Sequence, residues 1–145
     1  MTTDTASSAG TIELAPYLFF FGRCEEALNF YKSVLGGSYE MQRYGESPMA
    51  TQAPPDFQDK VMHSTFTGSG VKFMAGDGRE VKAIDPEAGN ISLALSFADA
   101  ARGKEVFDGL AAGGTVKMPL DEAFWGGKFG MLDDRFGIEW MITTP

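Results

Sequence analysis

Apolar and polar positions along the chain repeat one pattern twice. The first copy is APYLFFFGRCEEALNFYKSVLGGSYEM and the second is SLALSFADAARGKEVFDGLAAGGTVKM. A shift of 77 positions lays Gly36-Gly37 on Gly113-Gly114, Phe30 on Phe107 and Met41 on Met118. Each copy reads as an apolar strand, a helix, a Gly-Gly stop and a second strand. Ala27, Phe30, Tyr31, Val34 and Leu35 recur at helical spacing, and so do Val106, Phe107 and Leu110. The spacing predicts helices at about 24–35 and 100–112. Glu25 and Glu26 suit the first turn of one helix, Asp99 the N-cap of the other, and glycine the left-handed residue that ends each.

A hairpin follows each copy. KVMHSTF, turn GSG and VKFMA close the first half; KFGML, turn DDRFG and IEWMI close the second. Laying Gly70 on Gly137 puts Phe73 on Trp140 and Met74 on Met141. The result is an α+β fold of two βαβββ modules, about residues 11–80 and 89–145, in one domain spanning 11–145. Residues 1–10 read as a disordered tail. A helix covers only one face of each sheet. Two halves side by side therefore make a curved mixed sheet with helices outside and a concave cleft. Short modules leave sheet edges unpaired, which favours a homodimer. The loops YGESPMATQAPPDFQDK and GDGREVKAIDPEAG are long enough to carry function.

Composition narrows the partners more than the chemistry. Net charge is −8 with no basic run, which disfavours nucleic acid and acidic membrane surfaces. No apolar run approaches the ~20 residues of a membrane span, and the N-terminus makes a poor signal peptide. A cytoplasmic setting is the default expectation. One cysteine, Cys24, rules out an internal disulfide and a cysteine zinc cluster.

The segments PYLFFFGRCEEALNFYKSVLGG, KVMHSTF, MPLDEAFWGGKFGML and DRFGIEWM resemble the vicinal oxygen chelate superfamily, the glyoxalase, bleomycin-resistance and extradiol-dioxygenase fold. Among its branches the likeness is to the PhnB-like proteins. Members of that branch are often described as demethylubiquinone methyltransferase-like. The chain shows no glycine-rich strand-to-helix loop that would cradle a nucleotide-bearing cofactor, and no cofactor is expected. The resemblance implies a metal held by four side chains from the first and last strands of each half, His or Gln on the first and Glu on the last. Here the last-strand positions are Met74 and Met141, and the first-strand positions fall near Pro16 and Ser92. None is a carboxylate or imidazole, whereas a hard or borderline divalent ion needs oxygen or nitrogen ligands. A conventional metal site is therefore not expected.

Strand alternation assigns the remaining candidates. With Ile138, Trp140 and Ile142 toward the helix, Glu139 and Met141 face the cleft, as do Lys72 and Met74 in the first half. Glu139 is expected to pair with Lys72. Leu18 and Phe20 are expected in the cleft with Ala94, and Phe19 and Phe21 on the helix side. His63, the only histidine, faces the cleft and is a candidate acid or base with Glu122; a structural hydrogen-bonding role is the alternative. Glu122, Phe124 and Trp125 form an acidic, aromatic edge suited to an amine-bearing or planar ligand, unless Trp125 plugs the cleft. Cys24, at a helix start, reads as a packed residue rather than a nucleophile. The expected function is metal-independent binding of a small molecule in an apolar cleft. The alternatives are an enzyme with a degenerate site, a divalent-metal lyase or dioxygenase with displaced ligands, and a fold whose cleft its own side chains fill.

Overall fold

A computed structural model describes residues 12–85 and 89–145. The expected N-terminal tail lies outside the described residues. The first module contains strand β1 (Tyr17–Phe19), helix α1 (Cys24–Leu35), and strands β2 (Ser38–Arg43), β3 (Val61–Gly68) and β4 (Val71–Gly76). The second contains β5 (Leu93–Ser96), α2 (Ala100–Ala111), β6 (Thr115–Glu122), β7 (Lys128–Asp133) and β8 (Glu139–Thr144). Both helices fall where the apolar spacing puts them. The strands form two mixed four-stranded sheets, in the orders β1-β4-β3-β2 and β5-β8-β7-β6. In each, the first strand runs parallel to the last, and the rest is antiparallel.

Register carries the repeat down to single residues. Tyr17 lies opposite Met74, and Ala94 opposite Met141. These are the pairs that the two internal alignments equate. One face of each sheet packs with its helix. Phe66, Phe73 and Ala75 meet Ala27, Leu28 and Tyr31; Leu132, Trp140 and Ile142 join Val106, Phe107 and Leu110. The two clusters fuse into one core through the Tyr31 ring, 5.7 Å from Phe73 and 5.7 Å from Trp140 between centroids. Both helices thus lie on the core side, and the opposite sheet faces stay open.

Two buried carboxylates fix this frame. Asp77, at the end of β4, accepts from the backbone N–H groups of Gly22 (2.7 Å), Cys24 (2.8 Å) and Val61 (2.9 Å). It satisfies orphan donors at the start of α1, whose N-cap Arg23 supplies no side-chain cap. Helix α2 uses a local cap instead: Asp99 accepts from Ala101 and Arg102 N–H. Asp134, the first residue of the DRFG segment, accepts from Tyr31 Oη (2.5 Å), Trp140 Nε1 (2.8 Å), Phe136 N–H (2.8 Å) and Ile138 N–H (3.1 Å). It shapes the β7–β8 turn and ties the helix of the first module to the second.

Each Gly-Gly pair does two things. Gly36 and Gly113 have φ of 77° and 80°, the left-handed turn out of the helix. A Cβ on Gly37 would lie 2.5 Å from the Thr67 carbonyl oxygen, and one on Gly114 2.1 Å from that of Asp133. The second glycine therefore lets the returning strand pass close to its neighbour. No helix among the described residues is long and apolar enough to cross a membrane.

Candidate functional site

The open faces are built by alternation. On the first sheet the register aligns Tyr17, Met74, Thr65 and Glu40 in one row across the strands. The matching row of the second sheet is Ala94, Met141, Met131 and Met118. The neighbouring row of the first sheet brings Phe19 beside Gly76 and His63 beside Gln42. At the head of β8 lie Glu139 and its partner Asp133. The second face carries three methionines in one row, and the first mixes the Tyr17 and Phe19 rings and Met74 with Thr65 and His63.

A cavity of about 460 Å³ opens where the two modules meet. Tyr17 and Phe19 on β1 form one wall, with rings 5.0 Å apart between centroids. Leu93, Ile91 and Ile84 supply further apolar surface, and Lys117 and Glu139 supply charge. Lys117 Nζ lies 2.5 Å from Glu139 Oε2 and 3.8 Å from Asp133. Ser92 Oγ donates to Glu139 Oε1. The hydrogen bond from Lys117, then that from Ser92, holds the Glu139 carboxyl below its ordinary value of 4.5. It is an anion at neutral pH.

His63 sits on the first sheet's open face as expected. Its Nδ1 is 3.3 Å from Tyr17 Oη, which also donates to the Met62 carbonyl oxygen at 3.3 Å. Burial, then the charges of Cys24 and Tyr44, raises the Tyr17 phenol above its usual 10.0. Cys24 is fully buried, with Sγ 4.0 Å from Ser64 Oγ; burial and Asp77 push its thiol up to about 12. That is the packed thiol the sequence suggests, not a nucleophile.

Several expectations are corrected. Phe20 belongs to the core, and Tyr17 and Phe19 face the open side; Leu18 packs against the core and also lines the cavity, as expected of a cleft residue. Leu18 is the parallel partner of Ala75, a core residue, so β4 fixes the parity of β1. A run of three phenylalanines carries no alternation of its own to reveal this. Phe21, with φ of 48°, has already left the strand. Glu139 pairs with Lys117 and Ser92, not with Lys72, which meets the exposed Glu13. Lys117 belongs to β6, where two register irregularities hid its facing from simple alternation. The first-strand positions opposite the methionines are Tyr17, one residue from the expected Pro16, and Ala94, two residues beyond the expected Ser92. Trp125 plugs nothing: it is 57% exposed at the β6–β7 turn beside Phe124, which is 97% exposed. Glu122 ends β6, paired with Lys128, while His63 lies on β3 of the other sheet beside Tyr17.

A divalent ion does not fit the four equivalent positions. Tyr17, Met74, Ala94 and Met141 offer one phenol, two thioethers and a methyl group. Such a set lacks the imidazoles and carboxylates that hold zinc, nickel or iron. Among the described residues no three His, Cys, Asp or Glu side chains converge.

Paired βαβββ modules with open sheet faces define the fold of the glyoxalase/bleomycin resistance/dioxygenase superfamily, whose solved members share it at low sequence identity. Within that class the chain belongs to the family described as 3-demethylubiquinone-9 3-methyltransferase, whose family model matches residues 12–143. It is similar to Protein YjdN of Escherichia coli (strain K12), 32% identical over 141 residues covering 90% of this chain and 94% of the relative. It is also similar to PA1353 of Pseudomonas aeruginosa, with TM-score 0.79, 36% identity and coverage of 92% and 98%. The PhnB protein from Bacillus cereus gives TM-score 0.73, 29% identity and coverage of 92% and 100%.

Proposed function

We propose that the chain is a metal-independent small-molecule binding protein, acting as a cytoplasmic homodimer, with its ligand site in the cavity between the modules and the open faces beside it. One observation carries the reading: the register sets Tyr17, Met74, Ala94 and Met141 at the four equivalent first- and last-strand positions. Of these four Tyr17 lines the cavity, and the thioethers of Met74 and Met141 lie on the open faces beside it; both surfaces suit an apolar or aromatic guest. Methionine adapts its shape and makes favourable sulfur–ring contacts. The methyl transfer named in the family's description would need a site for a nucleotide-bearing methyl donor, and the sequence carries no glycine-rich strand-to-helix loop to cradle one. Nor does the sequence carry the clustered Lys and Arg that nucleic acid requires.

Elemental analysis of purified protein and a thermal-shift screen of small aromatic compounds test the proposal together. The expected outcome is no stoichiometric divalent metal, a midpoint unmoved by chelator, and a midpoint raised by compounds that bind the folded state. Stoichiometric zinc that is lost on changing His63 or Glu139 would reject it in favour of a metal enzyme with displaced ligands.

A further inference from the structure

We infer that the open face of the second sheet is a site for a soft monovalent metal ion, copper(I), held by the thioethers of Met118, Met131 and Met141. The register sets the three in one row on adjacent strands, Met118 opposite Met131 and Met131 opposite Met141. Directly opposed residues share a face, with Cβ atoms ~4.5–5.5 Å apart. A methionine side chain has three rotatable bonds and a polarisable sulfur. The two outer thioethers can therefore bend toward the central one and close on a shared ion. The site goes beyond the binding reading, since a guest in the cavity between the modules needs no ion.

The row is not core packing. Leu132, Trp140, Ile142, Val106, Phe107 and Leu110 fill the core of this module, and none of the three methionines is among the residues packed against it. Met118 is 48% exposed, and Met131 and Met141 are half-buried, so the row is open to an incoming ion. The irregularity in β6 completes the set. Val116 lies opposite the core residue Leu132. In an uninterrupted ladder Lys117 would then stand opposite Met131; the extra residue puts Met118 there instead. A bulge thus re-aims the strand so that a third thioether, not an ammonium, joins the row.

Donor chemistry selects the ion. Thioethers favour copper(I), whereas zinc, nickel and calcium draw on imidazole, thiolate or oxygen. A neutral donor set also suits a single positive charge, because nothing in the row offsets a second one. Ala94 ends the row with a methyl group and no competing donor. Phe129 lies two residues before Met131 on the same face of β7, with the Trp125 ring 5.6 Å away between centroids, so aromatic groups border the row on that side. On the other side Glu139 is already held by Lys117 and Ser92.

The test is a titration of copper(I), supplied as its acetonitrile complex without oxygen, into the full chain carrying methyl-labelled methionine, followed by NMR. Saturation is expected at one equivalent. The methyl signals of Met118, Met131 and Met141 should move together, those of Met41, Met62 and Met74 should stay in place, and zinc(II) should move none. Leucine keeps the apolar surface and nearly the volume of methionine, so single variants should fold. Met118→Leu, Met131→Leu and Met141→Leu should each weaken copper(I) binding at least tenfold. Met74→Leu, a thioether on the other sheet, and Cys24→Ala, the one thiol, should leave it unchanged. Signals that do not move, shifts spread over all the methionines, or binding lost with Cys24→Ala would each overturn the inference. The cavity reading would be untouched by that failure and is decided by its own thermal-shift screen.

Discussion

Asp134 shows how much one side chain holds together in this fold. Its carboxylate accepts four hydrogen bonds, from a tyrosine, a tryptophan and two turn amides, and it is 3% exposed. Asp134→Ala would leave these donors buried and without their acceptor, each costing about 1–3 kcal/mol before relaxation. The expected loss is about 3–4 kcal/mol in urea denaturation, and Tyr31→Phe, which removes one donor with its bond, should cost far less. The conspicuous DRFG segment is thus a structural latch, and its aspartate needs no ligand to explain it. Glu139 differs because it lies on the open side. Its folded value is lowered, chiefly by Lys117. The stability it contributes is therefore present above the ordinary 4.5 and is lost as pH falls through the lower folded value. With side chains 22% and 33% exposed, the pair is worth about 0.5–1 kcal/mol. Lys117→Met should remove that increment at pH 7 and shift the Glu139 titration upward when followed by NMR; an unmoved titration would mean the contact is not made in solution.

At the level of elements, the start of α1 is where sequence and structure agree for a reason. The amphipathic stripe fixed the helix limits, and Cys24 lies on its buried side. With the thiol pushed to about 12 by burial, thiolate is scarce at pH 8. Native protein should react with a thiol reagent only at the rate of unfolding, and rapidly in urea. Fast labelling of the native state would show that the helix start opens locally. The same periodicity placed α2, and the hairpin alternation of β4 and β8 correctly put Met74 and Met141 on the open face. Legibility failed in strands without alternation. Tyr17 to Phe21 is apolar throughout, so only its parallel partner β4 determines which rings face out. Lys117 sits in the irregularity between Val116 and Met118 of β6, where counting by two breaks down. The Glu139–Lys117–Ser92 group was thus visible only in part: alternation put Glu139 on the open side, while its partners Lys117 and Ser92 needed the folded register.

For the whole molecule, the open faces pose the remaining question, since a monomer would leave much apolar surface in water. Phe19, Val116, Met118, Phe124 and Trp125 are each between 46% and 97% exposed. Every residue of β6 except Leu120 is exposed, and β6 ends its sheet with an unpaired edge. Val116, Met118, Phe124 and Trp125 follow one edge and its turn, a run of apolar residues that monomeric proteins rarely present to water. A second copy with the same faces would cover them and enclose the cavity walls. Light scattering should therefore report about 31 kDa, twice the 15.6 kDa chain, down to low micromolar concentration. Met118→Lys, which sets a charge on β6 without touching the core, should weaken the dimer at least tenfold and leave the far-ultraviolet circular dichroism unchanged. A particle of 15.6 kDa at high concentration, with unaltered ligand affinity, would show that each chain holds its ligand alone.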